Sequence, residues 1–432
     1  MNPDKIKIGF VGLGYAGFPM ARLFSQKFTV VGFDISRRRI AELQSCVDHC
    51  GEVTPEEIAG MFENGATLTT DINDLQDCSV YIVTVPTPVD RFNKPDVSFI
   101  SSASCEVGTI LKKGDIVIYE STVYPGATED VCVPILEKIS GLKLNTDFFV
   151  GYSPERINPG DRVHTPANVV KVLAGSTPEA TAEIKELYSG VIGESLVYPV
   201  SSIKAAEACK VIENAQRDVN IAFINEMAKL LNTMGLDTSE VLKAMNTKWN
   251  ALGFRPGLVG GHCIGVDPYY LMECARQNGV ETRLVATARR INNSMAEFVV
   301  NKVVESLKSR LGDDISGARV LILGFSFKEN CPDIRNSKIF DVYRAMSQHT
   351  GHITIYDPIV DVELVRNLYG IGIASFYKQI ERLKYDAVML CVPHTIFHEL
   401  DLSKLCKKDG FVFDICGFFH ADQNAGIEIE RL

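Results

Sequence analysis

Residues 6–34, IKIGFVGLGYAGFPMARLFSQKFTVVGFD, leave the chain little choice of fold. The run 6–11 is apolar and rich in β-branched residues, the composition of a strand buried in a parallel sheet. Gly12, Gly14 and Gly17 follow as GxGxxG, an apolar-periodic stretch reaches Phe24, and a second strand at 28–33 ends on Asp34. Strand, glycine turn, helix, strand and acid together form a dinucleotide-binding βαβ unit of a doubly wound sheet. Gly12 makes the tight turn, Gly14 lets a pyrophosphate reach the backbone, and Gly17 permits close helix–strand packing. Leu13 and Tyr15 belong to the same cradle, and the helix N-terminus beyond offers N–H groups and partial positive charge to phosphates. Asp34 suits the ribose hydroxyls of NAD and repels the extra phosphate of NADP. Arg37, Arg38 and Arg39 come close behind and are able to pair with that phosphate, so NADP stays open on these residues. A flavodoxin-like sheet with no dinucleotide is the remaining alternative.

Further strands read at 80–85, 116–120 and 148–152, and each runs into a polar, Pro-rich loop: TVPTP with Thr87, ESTVYPG with Thr122, and YSPERINPG with Glu155, Arg156 and Asn158. In an open parallel sheet, ligands sit at the carboxyl ends of the strands, so these loops are expected to face one crevice. From Ser202 to Gly235 the chain has no Pro and no internal Gly, with apolar residues at helical spacing. One helix of about 30 residues is expected, bridging domains and offering a subunit interface. Lys210 and Asn214 lie one turn apart on one of its faces, as do Glu213 and Arg217, the latter pair read as a solvated or interface ion pair.

The segment 254–270, FRPGLVGGHCIGVDPYY, gathers four glycines around Cys263. Glycine lets a backbone close tightly on a ligand, which makes Cys263 a candidate nucleophile. A glycine-rich turn with a buried thiol is the plainer alternative. Residues 281–311 read as further helix, after which the α/β rhythm restarts with strands at 319–324, 353–357, 387–392 and 412–414. This second sheet lacks the second and third glycines of the phosphate fingerprint, and no second NAD site is expected there. The chain is accordingly expected to be α/β, with two Rossmann-like doubly wound domains joined by a long central helix. The boundaries are residues 1–200 for the NAD-binding domain, 201–311 for the helical domain with the cysteine loop, and 312–432 for the second Rossmann-like domain.

A formal net charge of −10 argues against nucleic acid or an acidic membrane as the main partner. No apolar run reaches the length of a membrane span, and the first residues enter a strand without a signal-peptide pattern. The 12 cysteines are scattered, so free thiols in a reducing cytoplasm are expected. Cys46, His49 and Cys50 have no second pair at zinc spacing, and no metal is expected.

These pieces, in this order, resemble the UDP-sugar 6-dehydrogenases. GLGYAG, TVPTP, ESTVYPG, GYSPERINPG, EACKVIENAQRDVNIAFINE, GGHCIGVDPYY and GFSFKENCPDIRNS carry the resemblance nearly end to end, and beyond about residue 360 only the strand rhythm matches. The resemblance implies a four-electron oxidation of a sugar C6 alcohol to a carboxylate with two NAD. Cys263 then looks like the thiol that captures the aldehyde. Lys210 and Asn214 match the pair supporting the alkoxide and oxyanion, and Asp267 the carboxylate assisting the lysine or the water. Thr122 and Glu155 match the residues that hold the hydrolytic water and carry protons. Lys328 matches a substrate lysine and Arg335 an arginine reaching the cofactor, while Phe254, Arg255 and Gly257 sit where the family loop wraps the UDP phosphates. A homodimer through the central helix is also implied.

The sequence departs from the family's usual pattern at Val259 and Pro393, where small residues are common. The Glu155-Arg156 pair is similar to the N-acetyl branch, whereas UDP-glucose enzymes resemble one another in a Phe-Leu pair after that glutamate. A UDP-N-acetylhexosamine, UDP-GlcNAc or UDP-GalNAc, is therefore the expected substrate, serving surface-polysaccharide synthesis. Arg156 is placed to donate to an acetamido carbonyl; its alternative is an ion pair with Asp161 or another acid. UDP-glucose and UDP-ManNAc remain as substrates, and a two-electron hydroxyacid dehydrogenase or a non-catalytic NAD sensor as other functions.

Overall fold

The structure, a computed structural model, describes residues 6–90, 92–157, 161, 163–419 and 426–432. The chain divides into two compact units. One comprises Met1–Glu213 with Tyr269–Glu281, the other Asn214–Pro268 with Thr282–Leu432.

The first unit is built on eight strands: β1 (Lys7–Val11), β2 (Thr29–Phe33), β3 (Thr67–Thr69), β4 (Val80–Val83), β5 (Ile116–Tyr119), β6 (Phe149–Tyr152), β7 (Lys171–Gly175) and β8 (Val197–Pro199). Their order is β3-β2-β1-β4-β5-β6-β7-β8, parallel except where β7 runs against β6. The order reverses between β1 and β4, the switch point at which such sheets bind ligands. Side chains alternate across the sheet. Ile8, Phe10, Val80, Ile82, Ile116 and Ile118 enter one core with Phe18 and Phe24. Val11, Tyr81, Val83, Val117 and Tyr119 enter the other with Ile100, Val107 and Leu136. Both faces being covered explains why these strands are apolar throughout.

The second unit holds five parallel strands: β9 (Arg319–Leu323), β10 (His352–Tyr356), β11 (Tyr385–Leu390), β12 (Cys406–Asp414) and β13 (Glu428–Arg431), in the order β10-β9-β11-β12-β13. Val320, Ile322, Ala387 and Met389 face a core shared with the helix Arg283–Leu311, while Leu321, Leu323, Val388 and Leu390 face the opposite one.

The long helix spans Ile203–Thr233, 31 residues without interruption, and joins the two units. It stops where Gly235 takes φ +71°, a left-handed conformation that glycine adopts without strain. The two strand–turn–strand openings share a design. Gly12 (φ +94°) donates its N–H to Phe33 O, and Gly324 (φ +88°) donates to Tyr356 O, both at 2.8 Å. Among the described residues no helix is long and apolar enough to cross a membrane.

Candidate active site

The glycine turn after β1 has the shape a dinucleotide requires. A Cβ on Gly17 would lie 2.1 Å from Gly12 O and 2.2 Å from Thr84 Oγ1, so only glycine lets the helix Gly17–Phe24 approach β1 and β4 this closely. At Gly14 a Cβ would meet nothing within 4 Å, so the space above the turn is open. No side chain caps the helix, which leaves its N-terminus able to take phosphate. Asp34 accepts from Leu13 N at 2.9 Å and Ser36 N at 2.8 Å, which fixes its carboxylate beside the turn at the end of β2. The residues present therefore fit NAD. Thr87 and Thr122 lie half-buried in the loops after β4 and β5, and Tyr15 is half-buried in the turn itself.

Two of the three arginines behind Asp34 are engaged within the protein. Arg39 is buried, donating Nε to Leu13 O at 2.7 Å and pairing with Asp48 at 2.8 Å. It braces the glycine turn from behind, and its second terminal nitrogen has no partner among the described residues. Arg38 pairs with Glu42.

The loop after β6 carries a buried acid. Glu155 is 5% exposed. Lys210 donates to its carbonyl at 2.8 Å and stands 3.8 Å from Oε2, while Oε1 has no hydrogen-bond partner among the described residues. Burial pushes this carboxyl up, while Lys210 and Lys171 oppose the shift. A buried, raised carboxyl beside a buried lysine is equipped to exchange protons. Arg156 forms an ion pair with Glu213. One Arg156 nitrogen is buried without a partner among the described residues. Asn158 lies outside the described residues.

In the second unit, the cysteine loop is held by glycines and by the 325–337 segment. Gly261 takes φ +78°, and a Cβ there would strike the Phe327 ring at 2.7 Å. One on Gly260 would lie 2.7 Å from Asn336 O. Asn336 donates Nδ2 to Gly261 O at 2.8 Å and accepts the Gly261 N–H at 3.2 Å. Cys263 is half-buried, and its carbonyl accepts from Val266 N and Asp267 N as the helix Asp267–Gln277 begins. Asp267, 1% exposed, accepts from the Asn214 amide nitrogen, and Asn214 Oδ1 accepts from Arg217.

Arg255, Gly257, Lys328 and Lys338 line a cleft of about 360 Å³ with Phe327, Cys391, Pro393 and Cys416. Three cations on one cleft suit an anionic, diphosphate-bearing ligand. Phe254 is half-buried next to it in sequence. Asn225, buried on the long helix, exchanges hydrogen bonds with Gly257 in both directions, Gly257 N to Oδ1 at 2.8 Å and Nδ2 to Gly257 O at 3.1 Å. Arg335 grips Asp333 through Nε and a terminal nitrogen. In this unit the acid matching Asp34 is Asp357, which is buried. It accepts from the backbone of Phe325, Ser326, Ile359 and Val360 and contacts His394 at 3.0 Å. Burial pushes its carboxyl up, but His394 and these N–H groups hold it below the usual range. Asp357 is committed to the fold.

Several supporting groups carry no local signal in the sequence. Asn225 and Asn336 hold the cysteine and phosphate loops, and Glu207 accepts from Gly126 N at 2.5 Å and Thr128 N at 2.9 Å at the end of the Thr122 loop. Their partners stand between 32 and 81 residues away. The motif strings that contain them were the sole pointer.

The UDP-glucose/GDP-mannose dehydrogenase family matches this chain in three consecutive parts: its NAD binding domain over residues 6–192, its central domain over 204–294 and its UDP binding domain over 321–421. A UDP-N-acetyl-D-glucosamine 6-dehydrogenase of Pseudomonas aeruginosa is 49% identical over 417 residues, 95% of this chain and 96% of that protein. One of Salmonella typhi is 45% identical over 424 residues, 98% of each. Among solved structures, a UDP-D-ManNAc dehydrogenase from Pyrococcus horikoshii is similar with a TM-score of 0.88 at 28% identity, covering 99% of both chains.

Proposed function

The chain belongs to the UDP-glucose/GDP-mannose dehydrogenase family and is an NAD-dependent UDP-sugar 6-dehydrogenase, and on that premise we propose that it oxidises the C6 alcohol of a UDP-N-acetylhexosamine to the uronic acid. The observation that carries the substrate is the naming of two relatives, 49% and 45% identical, as UDP-N-acetyl-D-glucosamine 6-dehydrogenases. UDP-GlcNAc and UDP-GalNAc are the candidates. The buried Arg156 nitrogen without a described partner is a donor that an acetamido carbonyl would satisfy.

The cradle of Gly12 to Gly17 with Asp34, Arg39, Thr87 and Thr122 would hold NAD, which would supply hydride acceptance from C6, once per molecule and twice per sugar; Arg335 is assigned to the cofactor by the family resemblance. The chain's own residues do the rest. Cys263 Sγ adds to the C6 aldehyde carbon, forming a C–S bond while the carbonyl oxygen gains a proton. The aldehyde carbon bears a hydrogen but no alcohol oxygen to expel it as hydride; the adduct restores a carbinol C–H whose oxygen, on losing its proton, does so. Loss of the second hydride leaves a thioester, and water breaks its C–S bond to return the thiol and release the acid.

Lys210 and Asn214 stabilise negative charge on the C6 oxygen, with Asp267 holding the Asn214 amide. Thr122 holds the hydrolytic water and Glu155 takes its proton. Phe254, Arg255, Gly257 and Lys328 bind the UDP portion, and Arg156 and Asn158 the sugar.

Exposed Ile212, Phe223 and Leu230 recur at spacings that put them on one stripe of the long helix, which supports a homodimer through that surface. The setting is the cytoplasm and the pathway surface-polysaccharide synthesis, the latter resting on the likeness of the 153–160 loop. The test is NADH formed per UDP-sugar consumed, across UDP-GlcNAc, UDP-GalNAc, UDP-ManNAc and UDP-glucose. Two per sugar with either of the first two fastest supports the proposal. One per sugar indicates a two-electron dehydrogenase, none indicates a sensor, and a fastest rate with UDP-glucose or UDP-ManNAc overturns the substrate.

A further inference from the structure

Glu155 is surrounded by more charge than the reaction accounts for. Lys210 reaches it from the long helix, and Arg156, beside it in sequence, is paired with Glu213. A second buried pair comes from the sheet. Lys171, the first residue of β7, is 5% exposed and Glu120, which follows β5, is 1% exposed. Lys171 Nζ stands 2.7 Å from Glu120 Oε2. It also lies 3.3 Å from Pro154 O and 3.5 Å from Ser153 O, and 5.5 Å above the centre of the Tyr188 ring. The Tyr188 hydroxyl donates to the other Glu120 oxygen. One ammonium group therefore ties the loop that begins at Glu120 and carries Thr122 to the loop that carries Glu155. Lys171 and Glu155 also line the same small cavity, with Met20, Arg156 and Ile157.

We propose that Lys171 and Glu120 are positioning residues for Glu155: the lysine fixes the backbone just ahead of it, and the opposed charges of the pair act on its carboxyl. The proposal rests on Glu155 being the proton acceptor described above. The geometry gives the pair a directional signature. The Lys171 cation favours the Glu155 carboxylate and the Glu120 anion disfavours it, acting together with Lys210 and Arg156. Buried charges feel one another strongly because little water screens them. Removing the cation must shift Glu155 toward its protonated form, and removing the anion must shift it the other way. Loosening the loops alone has no such sign.

The experiment is the pH profile of kcat for the full-length enzyme, with Lys171→Met, Lys171→Arg, Glu120→Gln and Glu155→Gln. Activity needs Glu155 ionised, so its acid limb reports that group. Lys171→Met should move the limb up by about half a pH unit or more and Glu120→Gln should move it down, while Lys171→Arg keeps the wild-type position. If the limb survives in Glu155→Gln, Glu155 is not the proton acceptor and the functional reading fails first. If that limb is lost but Lys171→Met and Glu120→Gln move it in one direction, or not at all, the positioning role is refuted. Should Lys171→Met fail to fold, a downward shift in Glu120→Gln with an unmoved Lys171→Arg supports the proposal, and any other result overturns it.

Discussion

Alanine at Gly17 tests whether the cradle owes its shape to close packing. The new Cβ would stand 2.1 Å from Gly12 O and 2.2 Å from Thr84 Oγ1, where carbon and oxygen normally keep about 3.3 Å apart. The strand–helix contact must open by about 1 Å, and the nearer obstacle is backbone. Thr84 has little freedom to turn away, because its hydroxyl contacts Gly12 O at 2.6 Å and Val11 O at 3.2 Å. Overpacking of this kind costs about 1–3 kcal/mol, and a backbone clash belongs near the top of that range. Alanine recovers at most about 1 kcal/mol through helix propensity, leaving a net loss of about 2 kcal/mol. Gly14→Ala is the matched control. With no atom within 4 Å and no left-handed φ, it should change stability by less than about 0.5 kcal/mol. It does fill the approach to the turn, so NAD affinity should fall at least about tenfold, or about 1.4 kcal/mol. Urea unfolding and titration calorimetry with NAD separate the two effects. If Gly14→Ala destabilises as much as Gly17→Ala, or binds NAD like the wild type, the packing argument is wrong.

Three further outcomes are expected. Cys263→Ser should form almost no sugar acid while binding NAD normally, read by product analysis and calorimetry; near-normal acid formation would remove Cys263 from the covalent role. The ratio of kcat/KM for NAD to that for NADP should exceed one, because Asp34 is fixed beside the turn and Arg38 and Arg39 are engaged by Glu42 and Asp48; a preference for NADP would show that the arginines still outweigh the acid. Glu207 provides a pH test. Burial raises its carboxyl from 4.5 to about 7, against the hydrogen bonds from Gly126 and Thr128. A carboxyl raised in the folded state favours folding while protonated, so its contribution is complete below pH 4.5 and lost as pH rises through about 7. That is on the order of 3 kcal/mol. Urea midpoints should decline over this window in the wild type and stay flatter in Glu207→Gln; parallel curves would contradict the assignment.

The architecture was legible because its signals are short-range. Apolar runs mark strands covered on both faces, a stretch free of Pro and Gly marks the helix Ile203–Thr233, and Gly12, Gly14 and Gly17 mark a turn whose demands are local. Four strands left no usable pattern. β3, β8 and β13 have only three or four residues, and β7 follows a long loop and pairs antiparallel at its β6 edge. The choice of partner was not legible at all. Nothing in the sequence tied Arg39 to Leu13 and Asp48, Arg156 to Glu213 or Asp267 to Asn214, contacts that the tertiary structure makes. It also joined Lys171 to Glu120 and Asn225 to Gly257. The sequence by itself determined the dinucleotide turn, the glycine-held thiol and the two α/β sheets, because backbone sterics and hydrophobic periodicity act over a few residues. Only the fold decided which charges meet, because a buried charge must find whichever partner the packing of distant elements brings within a few ångströms.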